Sequence, residues 1–505
     1  LRKQTLQKRA QQAVRLQILG SLYIPGGCTP RTLSDYAAEF RNHGLRMRGR
    51  TEQICLRKGA RMTVTPQSGS AEIERAVVRK ILWRLVPCLA ILYVFNMLDR
   101  GNVAIAAIAM KRDLHFSDGV YGLGAGMFFI GYFLFEVPSN LIMERVGARP
   151  WIARIMISWG AVSSATMFVH TPLSFNALRF LLGLAEAGFY PGIILYLTYW
   201  VPGRVRTQVI ARFLALTSIL GLFGGPLGGL LLKLNGQLGL AGWQWLFLLE
   251  GLPTILLGFV VLKFLPNGPE QARWLSAEEK SWITDSLVQE AKSAHSVQHL
   301  SLRVALSDPR ILHLCLIFIV TSIGLNAIGF FGPQLIQFKS GGTWSDSYVA
   351  TIGIIPALVG AIAMLIAANH SDRTGNRRNH VVYGYLIAGI GYLLCVYAPN
   401  APWVLVALSL NALGERSAAG SYWTLTSNLM GARAAAGGIA FINSVGNLGG
   451  FIGPILMGQL KQRTFGSYTP GLFIAAALLM LGALSACRLR RPPAADSEQN
   501  LVTPE

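Results

Sequence analysis

The sequence predicts an all-α membrane protein, with twelve transmembrane helices arranged as two six-helix halves. Three observations carry this prediction. Of the 505 residues, 52% are hydrophobic and 14% charged, whereas a soluble domain carries about 25% charged residues. Twelve apolar runs approach or exceed the roughly twenty residues that cross a bilayer as a helix. Landmarks in one half of the chain recur in the other at a fixed offset. The 54 glycines fit a membrane protein too, because small residues let membrane helices approach closely.

Residues 1–80 hold no span. Over residues 1–61 there are thirteen lysines and arginines against three acids, nearly half of the net charge of +21. The chain begins with Leu, and Met62 shortly precedes the first run. Residues 1–61 read either as an overextended reading of the gene or as a disordered tail. No short apolar segment with a cleavage site marks a secretory signal.

Six runs follow, near residues 81–110, 119–143, 150–170, 173–201, 207–232 and 243–265. A polar stretch at 266–310 reads as a cytoplasmic linker, with a helix start at Ser276-Ala277-Glu278-Glu279. Six more runs lie near 311–337, 346–369, 380–399, 401–425, 434–460 and 469–489, before a tail at 490–505. Basic residues concentrate on one side. Arg145, Arg149, Arg204, Arg206, Arg373, Arg377, Arg378, Arg433, Arg488, Arg490 and Arg491 fall in loops or ends on that side. The opposite loops carry Lys111, Arg112, Lys233, Lys339, Lys461 and Arg463. The positive-inside rule then puts both termini in the cytoplasm of a multi-pass inner-membrane protein. With the charge spread over short loops, the basic balance points to orientation and not to nucleic acid.

The repeat is specific. Glu144-Arg145-Val146-Gly147 after the second run matches Asp372-Arg373-Thr374-Gly375 after the eighth, and the positions differ by 228. Gly225-Pro226 and Gly453-Pro454 differ by the same 228. A duplicated half is the architecture of a large transporter class that binds substrate near the midplane between its halves. Glu144, Arg145, Asp372 and Arg373 are therefore the candidate gate, latching the halves in one state.

Charges inside the spans are the chemical signal, because they are costly in lipid unless they face protein, pair, or serve ions and substrates. Asp99-Arg100-Gly101-Asn102 lies near the far end of the first run. It reads as a cavity pair or as an ion pair at the water interface. Arg179 and Glu186 lie seven residues apart on one face of the fourth run, about 10 Å along the axis. A buried Arg offers a permanent charge and a planar fork suited to a carboxylate. An ionised Glu in such a place is costly, so it can take up a proton. A structural ion-pair network locking the first and fourth runs is the other reading. Asn443 and Asn447, one turn apart, serve either substrate or helix–helix hydrogen bonding. Tyr93, seven residues before Arg100, either lines a cavity or packs. Glu136 and Glu250 read as structurally paired near helix ends. Gly221, Gly224, Gly225, Pro226, Gly228 and Gly229 read as close packing with a bend. The scattered cysteines and histidines form no metal or disulfide pattern. Gly122-Leu123-Gly124-Ala125-Gly126 is no nucleotide loop, and no Walker motif appears. No cofactor and no enzyme activity are expected.

These motifs resemble a known family. The loop ERVGAR (residues 144–149) with its copy DRTGNRR (372–378) resembles the signature loop of the major facilitator superfamily. LDRGN, the stretch at residues 121–140, RFLLGLAEAGFYPG at 179–192 and INSVGNLGGFIGP at 442–454 resemble its anion–cation symporter branch. Within it they are most similar to bacterial tartrate transporters, with 4-hydroxyphenylacetate and phthalate carriers nearby. The resemblance runs from about residue 72 to 490. Glu144 stands where the loop usually has Asp, and Asn140 where it usually has Gly. Glu415 and Arg416 put a charge pair in the tenth run, where small or apolar residues are expected. The resemblance implies that Arg100 contacts the substrate carboxylate, that Asp99 and Glu186 carry protons, and that Arg179 tunes Glu186. The expected function is proton-coupled import of tartrate or a related hydroxy-dicarboxylate by a monomer in the bilayer. An aromatic or sugar acid is the alternative substrate, and a non-transporting anion sensor the alternative function.

Overall fold

A computed structural model describes residues 68–293 and 308–489. The expected N- and C-terminal tails therefore lie almost wholly outside the described residues. The described residues are helical, and no strand occurs among them.

The first helix, α1 (Ser68–Leu114), has 47 residues. At 1.5 Å per residue it is about 70 Å long, over twice the hydrocarbon thickness of about 30 Å. It starts before the first apolar run because its opening residues, though polar, are helix formers that need no lipid. Then come α2 (Asp118–Val146), α3 (Ala148–Ala165), α4 (Pro172–Glu186) and α5 (Phe189–Thr198). The fourth run is thus two helices and not one. Gly188 between them has φ +83, and a side chain there would strike Ser139. Pro191 follows in the first turn of α5, where its missing N–H costs nothing. The break leaves Glu186 in the last residue of α4.

The fifth run is also broken, into α6 (Gly203–Gly221) and α7 (Gly224–Leu232), just before Pro226. The N-terminal half closes with α8 (Gly242–Phe264). The linker helix α9 (Ala277–Ser293) begins where its start signal lies. Ser276 Oγ accepts from the Glu279 amide (3.2 Å), and Glu279 Oε2 accepts from the Ser276 amide (2.8 Å), a reciprocal cap. Lys80 of α1 pairs with Glu279 at 2.8 Å, and Arg206 of α6 with Glu290 at 3.1 Å. Trp274 stacks on Trp200 at 5.6 Å. The linker therefore docks on the N-terminal half.

The second half contains α10 (Pro309–Lys339), α11 (Asp346–Ile352), α12 (Ile354–Thr374), α13 (Arg377–Tyr397), α14 (Ala401–Arg463) and α15 (Thr469–Cys487). The helical stretch α14 covers both the tenth and the eleventh run. Straight, its 63 residues would reach about 95 Å. It is not straight. Tyr422 stacks on Phe318 at 5.4 Å, and a Cβ on Gly446 would fall 2.1 Å from the same ring. Positions 422 and 446 would lie about 36 Å apart on a straight helix. The chain therefore doubles back between them, giving two antiparallel legs. Nine helical segments among the described residues are long and apolar enough to cross a membrane. With α3 and the two legs of α14, this agrees with a twelve-span arrangement.

The two halves touch at one end. A Cβ on Gly122 of α2 would lie 2.4 Å from the Pro454 carbonyl oxygen, and one on Gly225 of α7 would lie 2.6 Å from that of Ala350. The offset of 228 carries Gly122 onto Ala350 and Pro226, the neighbour of Gly225, onto Pro454, so the two contacts match as repeat images to within one residue. Two glycines allow the backbones to meet there. Ion pairs reinforce this end. Lys461 of α14 meets Asp118 of α2 at 3.0 Å, and Arg112 of α1 meets Asp346 of α11 at 3.3 Å. Asp118 also pairs with Lys111, which donates to Gln334 at 3.0 Å. At the opposite end, no hydrogen bond or ion pair joins the halves among the described residues.

Candidate functional site

Asp99 and Arg100 are adjacent in sequence but serve different neighbours, because successive helical residues point about 100° apart. Asp99 is 2% exposed and turns to α3. Trp159 Nε1 donates to its Oδ2 at 3.0 Å, and Ser163 donates to Oδ1. Trp159 and Ser163 lie one turn apart on α3, so one helix face holds both oxygens.

Arg100 turns to α4. Its Nε donates to Glu186 Oε2 at 2.9 Å. Glu186 is fully buried, and its other oxygen accepts from Asn96, one turn before Arg100. The Arg100 guanidinium lies 4.6 Å from the Tyr132 ring and 5.2 Å from that of Phe128. Such contacts with ring faces favour a cation. Its Nη2 is buried without a hydrogen-bond partner.

Arg179 is 1% exposed, and its guanidinium lies 5.0 Å from the Phe128 ring. None of its three guanidinium nitrogens has a hydrogen-bond partner. A buried guanidinium without acceptors is costly, and a carboxylate is the group that its fork fits. The direct hydrogen-bonding partner of Glu186 is thus Arg100 and not Arg179, and Asp99 is held by neutral donors and not by Arg100. Both points refine the pairings expected from the sequence. The two arginines, one from α1 and one from α4, flank Phe128, and Glu186 reaches the first of them.

Glu250 of α8 is buried and accepts from Asn102 Nδ2 at 2.7 Å. Its partner is an amide and not a cation. The Glu136 carboxylate makes no hydrogen bond or ion pair among the described residues, so the structural pairing expected for it is not seen.

Tyr93 is half-buried and packs against Tyr190 (5.2 Å) and Phe213 (5.6 Å). Asn443 and Asn447 are half-buried and make no hydrogen bond among the described residues. Asn447 lies one turn before Gly450, which abuts Phe129 of α2. The helical period puts both amides on the face turned to the N-terminal half. The candidate gate residues Arg145, Asp372 and Arg373 are exposed at the end opposite the Asp118–Lys461 pair, and Asp372 meets Arg377 of its own half at 3.4 Å. Glu415 and Arg416 diverge. Tyr392 donates to Glu415 Oε1 at 3.2 Å, while Arg416 passes the site of Gly360.

Asn96, Trp159, Ser163 and the Asp118–Lys461 contact join the site and the closed end without having been expected from the sequence. Asn96 stands four residues before Arg100, a spacing that marks a shared face. Nothing in the sequence singles out Trp159 and Ser163 before the partner of α3 is known. Among the described residues, no three His, Cys, Asp or Glu side chains gather as a metal site.

The chain is 46% identical over 421 residues to a protein of Agrobacterium vitis named "Putative tartrate transporter", covering 83% of this chain and 92% of that one. It is 38% identical to a quinolone resistance transporter of Acinetobacter baumannii, over 82% of this chain and 94% of the relative. A crystal structure of a bacterial homolog of the human lysosomal transporter Spinster, inward-facing and occupied, superposes with a TM-score of 0.67. At 17% identity it covers 81% of this chain and 98% of its own, which bears on the fold alone. Residues 89–454 and 343–504 match the family described as Major Facilitator Superfamily, and this multi-pass membrane protein belongs to that family.

Proposed function

We propose that the chain is a proton-coupled symporter that imports an organic anion by alternating access, with tartrate or a related hydroxy-dicarboxylate as substrate. One observation carries this reading: the Arg100–Glu186 ion pair lies beside Arg179, whose fork has no acceptor. An entering carboxylate satisfies a guanidinium. It also leaves the site with excess negative charge, which a proton on Glu186 or Asp99 offsets. Protonated Glu186 releases Arg100 to the anion, so anion and proton bind together. Asn443 and Asn447 offer amides to substrate hydroxyls from the second half, and Tyr93 belongs to the aromatic wall behind α1. The name of the Agrobacterium vitis relative supports a hydroxy-dicarboxylate.

With both termini in the cytoplasm of a bacterial inner membrane, the Asp118 end faces outward, and the halves are tied together on that outer side. Glu144, Arg145, Asp372 and Arg373 then form the gate that closes the opposite end in the other state. The unit is a monomer, because each chain carries both halves.

Uptake of labelled tartrate, phthalate, 4-hydroxyphenylacetate and galactonate into proteoliposomes, with and without an inward proton gradient, tests the reading. Tartrate uptake driven by the gradient is expected. Greater uptake of an aromatic or sugar acid would replace the substrate. Binding without uptake would make the protein an anion sensor, and uptake needing a counter-anion but no gradient would make it an exchanger.

A further inference from the structure

A cavity of about 520 Å³ opens on the side of the N-terminal half, between the first turns of α1 and the start of α6. It lies apart from Arg100 and Glu186, and its lining has a definite polarity. Arg75, Arg79 and Arg212 supply cations. Val78, Leu82, Val86 and Leu216 supply apolar wall. On each helix an arginine precedes the deepest apolar positions, so charge gives way to hydrocarbon along the axis.

The neighbouring cations are engaged. Lys80 pairs with Glu279, Arg206 with Glu290, and Arg204 with Glu74, the one acid of the cavity. Arg75, Arg79 and Arg212 are exposed and have no ion pair among the described residues. Trp83, also on the wall, is 79% exposed, as suits a ring at a membrane–water interface.

We propose that this groove binds one anionic phospholipid of the leaflet in which α1 begins. Its phosphate lies among Arg75, Arg79 and Arg212, and an acyl chain follows Val78, Leu82 and Leu216. Basic pockets between membrane helices suit such headgroups, and the apolar wall gives the chain a place that a free phosphate ion cannot use. The preceding segment is a poor occupant on charge, because residues 1–67 carry thirteen lysines and arginines against three acids. The proposal does not depend on the transported substrate.

The test uses the full chain in phosphatidylcholine vesicles containing graded brominated phosphatidylglycerol, with brominated phosphatidylcholine as the parallel series. Subtracting the fluorescence of Trp83→Phe isolates quenching at Trp83. Phosphatidylglycerol should quench it at a mole fraction at least about fivefold lower, the factor expected for even one basic contact. Arg75→Ala/Arg79→Ala/Arg212→Ala should abolish the preference, and the corresponding triple Lys variant should keep most of it. Millimolar inorganic phosphate should leave it intact. Equal quenching by the two lipids in the wild type, or a preference that survives the Ala substitutions, would overturn the proposal. So would its loss to inorganic phosphate, which marks an ion site, or its appearance only after removal of residues 1–67, which marks the chain's own segment as occupant.

Discussion

Arg100 donates its Nε–H to Glu186 across 2.9 Å, and the carboxylate it meets is fully buried. The bond links α1 to α4 and leaves Arg100 Nη2 buried and unpartnered. Arg100 is therefore both occupied and available: one edge of its fork holds an acid of the protein, and the other lacks an acceptor. Replacement by Lys keeps the charge and removes the planar fork. Arg100→Lys should lower tartrate uptake at least about tenfold, the loss of one charge-assisted hydrogen bond. Intact transport in that variant would remove Arg100 as the carboxylate clamp.

Asp99 is held by two neutral donors from α3. Ser163→Ala removes one of them, and a buried oxygen left without its donor costs about 1–3 kcal/mol. The variant should unfold at a lower temperature in detergent. Trp159→Phe should do the same through Oδ2. An unchanged unfolding temperature in both would show that these bonds do not hold the carboxylate.

The Asp118–Lys461 pair ties the halves at the end where they touch. Both side chains are mostly buried, at 16% and 10% exposed, so solvent screens the pair only in part. Asp118→Asn should shift the population toward opening at this end. In a cysteine-free background, a cysteine at Val120 should then react severalfold faster with a membrane-impermeant maleimide. Equal rates would show that the Arg112–Asp346 pair and the Gly122 and Gly225 contacts hold this end closed without Asp118.

The linker helix gives a pH dependence outside the membrane. Burial works to raise the Glu279 carboxyl. The Lys80 hydrogen bond, the Ser276 amide and the Lys80 charge outweigh it and hold the group below its ordinary value of 4.5. A depressed carboxyl stabilises the folded arrangement above that value, and the stabilisation is lost as pH falls through the lowered one. Docking of α9 on α1 should therefore be tight at neutral pH and loosen below pH 4.5. The loss should not exceed about 1 kcal/mol, because the Lys80 side is well exposed. Spin labels on α1 and α9 should show a broadened distance distribution in acid, and Lys80→Met should show it at both pH values.

Much of this arrangement is legible in the sequence, for identifiable reasons. Apolar runs mark spans because lipid admits little else, and the offset of 228 reappears, to within one residue, as paired contacts of Gly122 with Pro454 and Ala350 with Gly225. The cap at Ser276 is local chemistry and is read directly. The partner of each buried charge is not local. Asp99 and Arg100 form one motif in the sequence, yet their side chains part by about 100° and join different helices. The break at Gly188 was hidden because the run around it is apolar throughout, and the left-handed backbone there together with the approach of Ser139 from α2 shows why a glycine stands there. The Asp118–Lys461 contact joins residues of different halves, so neither position announces its partner.

Coupling of anion to proton rests on the Arg100–Glu186 pair. The most direct measurement compares wild type with Glu186→Gln in two assays on the same proteoliposomes: tartrate uptake driven by a proton gradient, and exchange of labelled for unlabelled tartrate without one. A glutamine keeps the shape but cannot gain or lose a proton. If Glu186 carries the coupled proton, gradient-driven uptake is lost while exchange persists. Gradient-driven uptake that survives at the wild-type rate would contradict it.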